Sequence, residues 1–160
     1  MRFRRLTTEE LESLEQDFVQ FLAANQITAK EWVSLKDKDP IRVEQLIETF
    51  SDIVLEKVFS KIEYLQHRTK DIIRVFHCQE DKIVMTGLQI TDPTKDLTNP
   101  EDLEVLSNPQ EINGSVKVFQ MEKEYGDQRA DEVFRMMYKD GCQIAPQGMF
   151  EVLESMNHTA

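Results

Sequence analysis

The stretch DPIRVEQLIETFSDIVLEKVFSKIEYLQ, residues 39–66, carries most of the chain's apolar weight, and its period decides the fold. Asp39 before Pro40 reads as a helix opening. Asp accepts a hydrogen bond from a free first-turn N–H, and proline at the first helical position forfeits no bond. Val43, Leu46, Ile47, Phe50, Ile53, Val54, Val58, Ile62 and Leu65 then recur at helical spacing. The pattern predicts one long helix over about 40–66, with His67, Arg68 and Lys70 suiting the negative end of its dipole. Its consistently polar line is narrow (Gln45, Asp52, Glu56, Glu63), so the expectation is a core helix packed on nearly all sides.

Upstream, the same start signal occurs twice. Leu6-Thr7-Thr8-Glu9-Glu10-Leu11 is a capping box with a hydrophobic staple, Thr7 capping and Glu10 reaching back. A helix to about Ala24 should follow, with Leu11, Leu14, Phe18, Phe21 and Leu22 inward and Glu9, Glu12, Glu15 and Asp17 outward. Ile27-Thr28-Ala29-Lys30-Glu31-Trp32 repeats the device, with Thr28 and Glu31 as partners and Ile27 stapled to Trp32. Links this short make the three helices neighbours.

Downstream, the period changes. Residues 72–78 and 82–91 are rich in branched apolar side chains and flank the polar turn Gln79-Glu80-Asp81, which predicts an antiparallel β-hairpin. Asn99-Pro100-Glu101-Asp102 opens a short helix ending near Leu106. Residues 115–125 fit either helix or a third strand, and helix is preferred here. Ala130, Val133, Phe134, Met137 and Tyr138 predict a helix stopped by Gly141, and Pro146 starts a last one through Met149, Val152, Leu153 and Met156. The fold expected is therefore α+β and mainly helical: five to six helices around the long central one, with one hairpin, in a single domain over 1–160.

The 160 residues suffice to bury a core without staples, and 40% apolar with 31% charged residues fits a globular protein. No apolar run reaches the ~20 residues of a membrane span, and the start lacks the apolar core of a signal peptide. Two cysteines, Cys78 and Cys142, fit a reducing cytoplasm, although one bridge stays open as a possibility. The net charge of −11 repels nucleic acid and anionic membrane, except at Arg2, Arg4 and Arg5 around Phe3.

The wording of the chain also matters. Arg4-Arg5-Leu-Thr-Thr-Glu-Glu-Leu11, Phe21-Leu-Ala-Ala-Asn-Gln-Ile-Thr28, Phe50-Ser-Asp-Ile-Val54, Lys61-Ile-Glu-Tyr-Leu65 and Glu80-Asp-Lys-Ile83 resemble a family of small acidic cytoplasmic proteins of Bacteroidetes-type bacteria, catalogued as a domain of unknown function. The resemblance covers nearly the whole chain. It implies one compact bacterial cytosolic domain and carries no catalytic or binding residues to transfer.

Site chemistry is sparse. His77 and Cys78 are adjacent, and neighbours on a strand point to opposite faces, so one ion cannot readily take both. No C-x-x-C or H-x-x-x-H spacing supports a metal site, and none is expected. Cys142 follows a helix end, where the dipole opposes a thiolate. The five glycines are scattered, which speaks against a phosphate cradle, and no cofactor is expected. The methionines are uneven: Met121, Met136, Met137, Met149 and Met156 crowd the C-terminal third. Met surfaces adapt to varied partners, but Met137, Met149 and Met156 also sit on faces that a core would use.

The favoured function is a non-enzymatic domain that docks on another cytoplasmic protein or complex, with Arg2, Arg4, Arg5, Met136, Met149 and Met156 as candidate partner-binding residues. One alternative is an enzyme or small-ligand protein using His77, Cys78 or Cys142 in a pocket beside the hairpin. Another is RNA or ribosome contact through the N-terminal arginines. Oligomeric state is not legible.

Overall fold

The structure is a computed structural model that describes residues 1–159. The chain divides into two compact units, one helical (Met1–Phe59) and one built on a sheet (from Ser60 onward).

The helical unit holds α1 (Thr8–Ser13), α2 (Glu15–Ala24), α3 (Ala29–Lys38) and nearly all of α4 (Pro40–Ser60). Both capping boxes form. Thr7 Oγ1 accepts from the Glu10 N–H while the Glu10 carboxylate accepts from the Thr7 N–H, and Thr28 and Glu31 do the same. The helix expected from Thr8 to Ala24 is broken at Leu14. The Ser13 hydroxyl donates to the Glu10 carbonyl at 2.7 Å, a local bond that competes with the helical ladder. Phe18 ties the helices together: its ring lies 5.1 Å from Trp32 on α3 and 4.9 Å from Phe50 on α4. Aromatic pairs at this range add to plain burial.

The central helix opens as expected, with Asp39 Oδ1 accepting from the Arg42 N–H at 3.1 Å. It is shorter and wetter than expected. It ends at Ser60, and its buried stripe runs Leu46, Ile47, Phe50, Ser51, Leu55 and Phe59. Ile41, Ile53 and Val58 are exposed, so it is an ordinary amphipathic helix, not a rod wrapped on nearly all sides.

The sheet unit overturns the single-hairpin expectation. Its sheet is five-stranded and antiparallel: β1 (Tyr64–Arg68), β2 (Ile72–Cys78), β3 (Lys82–Ile90), β4 (Val116–Glu124) and β5 (Gln143–Ile144), in the order β4-β3-β2-β1-β5. The predicted hairpin is its centre. The end of the supposed long helix is strand β1, pairing Leu65 with Phe76 and His67 with Arg74, so His67 and Arg68 cap no helix. Residues 116–124, preferred as helix, form edge strand β4, with Lys117, Glu122, Lys123 and Glu124 marking it as a charged edge. The reason is tertiary. A lone hairpin is marginal in water, and β1 and β4 satisfy its two open edges. The short helix near Leu106 is a 3-10 turn, Asp102–Leu106. α5 (Arg129–Tyr138) and α6 (Met149–Thr159) form within the predicted stretches, but α6 starts at Met149 and not at Pro146, and Tyr138 and Val152 of the predicted stripes are exposed while Met136 is buried.

The alternation of the strands sorts side chains onto two faces. Ile73, Val75, Val84, Leu88 and Ile90 share one, and with Phe150 and Leu153 of α6 and Leu97, Val105, Leu106 and Ile112 of the 91–115 loop they form the core. Arg74, Phe76, Ile83 and Met85 lie on the other. One side chain, Arg129, fixes where the helix gives way to strand. Its guanidinium donates to the carbonyls of Ser60 (3.1 Å), Ile62, Cys78 (2.9 Å) and Gln79 (3.3 Å).

Candidate functional site

Each unit has its own concave surface. In the helical unit a groove of about 740 Å³ runs between α1, α2, α3 and the start of α4. Its floor is Leu11, Phe18, Leu22, Ile27, Trp32 and Ile47, and its walls add Val19 and Val33, which are 51% and 63% exposed. Two short helices separated by a sharp corner produce it. Gln26 takes φ 62 there, a left-handed conformation that ends α2 and turns the chain into the Thr28 cap. Glu12 and Glu15 stand at the rim, while Lys36 leans over the Trp32 ring at 5.6 Å and Arg5 is held by Glu44. The three carboxylates Glu12, Glu15 and Glu44 outnumber the two cations Arg5 and Lys36, so the rim is net acidic.

In the sheet unit a cleft of about 360 Å³ lies between α5 and the sheet face opposite the core. Phe76, Ile83, Met85, Met121, Met136 and Cys142 make it apolar, Arg74, Lys123 and Arg135 bring cations to it, and His67 adds an imidazole. Glu132, only 5% exposed, accounts for two of the cations. Its carboxylate is paired with Arg135, has Lys123 at 4.0 Å and accepts from the Gly126 N–H at 3.2 Å. Burying that acid is tolerable because both cations and the amide neutralise it.

The candidate residues read from the sequence are scattered. The three arginines sit together in the helical unit, turned inward onto its own acids. Arg2 Nη1 lies 3.0 Å from Glu56, Arg4 forms a two-pronged pair with Glu10 at 2.8 and 2.9 Å, and Arg5 grips Glu44 at 2.9 and 3.0 Å. The backbone joins in: the N–H groups of Arg2 and Phe3 donate to the Asp52 carboxylate, and that of Leu6 to buried Ser51 Oγ. The methionines are split. Met136 is buried and lines the sheet cleft, whereas Met149 and Met156 pack against the core on the opposite face.

His77 is kept apart from the two thiols, whereas Cys78 and Cys142 lie close enough for the charge of one to act on the other. His77 stacks on Tyr64 (4.5 Å) and meets Phe150 edge-on (5.3 Å), with Gln79 Nε2 at 3.4 Å from Nδ1, on the core side of the sheet. Cys78 and Cys142 are buried free thiols, and burial pushes both up to about 11. At neutral pH neither supplies a thiolate nucleophile. Among the described residues, no group of three or more His, Cys, Asp or Glu is placed to hold a metal ion, and no helix is long and apolar enough to cross a membrane.

Two features escaped sequence reading. Arg74, Met85 and Met121 share a face only once the register of three strands is known. The groove was half legible: Val19 and Val33 are apolar residues outside the inward stripes of their helices, which is the signal that could have marked it.

The chain belongs to a family of unknown function (DUF6495), which matches it over residues 1–158. No curated protein and no solved structure matches it.

Proposed function

We propose that this member of a family of unknown function is a non-enzymatic protein-interaction domain of the bacterial cytosol, which receives an amphipathic helix of a partner protein in the groove of its helical unit. The observation that carries the reading is the groove itself: about 740 Å³, floored by aromatic and aliphatic side chains, with Val19 and Val33 left bare on its walls. Exposed apolar surface that is contiguous and rimmed by polar groups marks recognition sites. A groove between helices suits a helix about 10 Å across, whose apolar stripe replaces the missing packing. The acids Glu12 and Glu15 favour an occupant with Lys or Arg flanking that stripe. The raised thiols and dispersed His77 lend no support to chemistry at the cysteines. The two free cysteines and the family resemblance support a reducing bacterial cytosol.

The test is co-purification from native cells with the wild-type chain and with a Val19→Glu/Val33→Glu double variant. Both positions are solvent-facing, so the fold should survive the change. A partner enriched by the wild type and lost from the variant is the expected result, and its groove-binding segment should then quench or shift Trp32 fluorescence. A partner retained equally by the variant, or a strictly lone protein, would overturn the reading.

A further inference from the structure

The sheet cleft carries an observation that protein docking does not use. Arg74 is half-buried in an apolar setting, and among the described residues its guanidinium has no ion pair and no hydrogen bond. This is unexpected in a chain of net charge −11, where carboxylates are plentiful. A partly desolvated cation without an anion is costly, and the usual remedy is a carboxylate or phosphate. The two buried acids among the described residues are committed elsewhere: Glu132 to Arg135, Lys123 and an amide, and Asp92 to Thr94 and the Asn113 N–H. Glu122, at the mouth, is held by Lys82 at 3.1 Å, and Asp140, also at the mouth, makes no ion pair with Arg74.

We propose that this cleft binds an amphipathic carboxylate, its head on the Arg74 guanidinium and its apolar chain on Phe76, Met85 and Met121. Cross-strand pairing fixes the arrangement. His67 lies beside Arg74, Phe76 beside Met85, and Met85 beside Met121, so the cation sits two residues along β2 from the start of a continuous apolar track. Methionine is unbranched and polarisable and moulds itself to a flexible chain. At the ~30 Å³ that one water occupies in the liquid, the 360 Å³ cleft takes about a dozen non-hydrogen atoms, which sets the ligand at roughly eight to twelve carbons. A bare phosphate is disfavoured, because the apolar floor offers it no backbone amides of the cradle kind. The inference is independent of the groove in the helical unit.

The experiment is calorimetric titration of the full chain with decanoate below its micelle concentration, with decanol and decyltrimethylammonium as probes of the same tail. Decanoate should bind at least about tenfold more tightly than decanol, and the ammonium should bind least. Arg74→Gln should lower decanoate affinity about tenfold and leave decanol unchanged. Met121→Glu, at a position 64% exposed, should abolish decanoate binding without touching Arg74, which keeps the test decisive if the first variant misfolds. The methionine methyl resonances give the location: Met85, Met121 and Met136 should shift, and Met149 and Met156, on the other face, should stay. Equal binding of decanoate and decanol, an unchanged affinity in Arg74→Gln, or no binding would overturn the proposal. So would a response confined to Trp32, which would place the tail in the helical groove.

Discussion

The helical unit and the sheet unit solve the same problem unequally. In the sheet unit, Ile73, Val75, Leu88, Leu97 and Leu153 are fully shielded, and every strand but the edges has neighbours on both sides. In the helical unit, α1 and α3 have no fully buried residue and α2 has one, Leu22. Those helices are held instead by caps, by one aromatic cluster around Phe18 and by arginine–carboxylate pairs of the N-terminal strap, residues 1–6. The contrast teaches where function has room. A sealed core resists change, whereas helices fastened at their ends can leave a groove between them.

The largest effect that could break this contrast is at Leu153. Truncating it to Ala removes a completely buried side chain from the core of the sheet unit and should cost about 2–5 kcal/mol. Val33→Ala on α3 should stay within about 0.5 kcal/mol, because Val33 is mostly in water. Urea melts of the two variants decide it, and comparable costs would mean that the groove walls are packed after all. Next in size is Arg129. Arg129→Ala leaves the carbonyls of Ser60, Ile62, Cys78 and Gln79 without their shared donor, a loss of about 2–4 kcal/mol. Arg129→Lys should recover less than half, since an ammonium cannot fork to four acceptors. Hydrogen exchange should show the damage first at Cys78, whose N–H donates to the Glu63 carbonyl beside the clamp.

The same contrast explains what the sequence disclosed. The capping boxes at Thr7 and Thr28 were legible because their partners lie three residues away. The β2–β3 hairpin was legible because its turn is local. Residues 61–66 were not, because Ile62 and Leu65, three apart, continue the helical period and show no alternation that would mark a strand. What ends the helix there is Arg129, 67 residues from Ile62, together with strand partners on β2. Val116-Lys-Val-Phe was ambiguous for the same reason, since β4 pairs with β3 across a loop of some two dozen residues. Of the candidate residues, the arginines are neighbours in the sequence, but the acids that hold them, Glu10 on α1 and Glu44 and Glu56 on α4, are not predictable from it. The cleft around Arg74 needed the register of four strands before it existed at all.

The smallest effect is the sharpest probe of how the helical unit is fastened. The two-pronged bond from Arg4, with help from the Thr7 N–H, lowers the Glu10 carboxyl from its ordinary 4.5 to about 2. A carboxyl depressed in the folded state stabilises above its ordinary value, and that contribution fades as pH falls from about 4.5 toward about 2. The pair is partly exposed, so water and salt hold its worth to ~0.2–1 kcal/mol. Arg4→Leu removes the main cause and leaves the Thr7 amide, so the Glu10 midpoint should climb most of the way back to 4.5 without reaching it. Carboxyl-carbon NMR of Glu10 reads this directly. If the midpoint is unmoved by Arg4→Leu, the capping box alone holds the carboxylate, and the N-terminal strap is not what fastens α1.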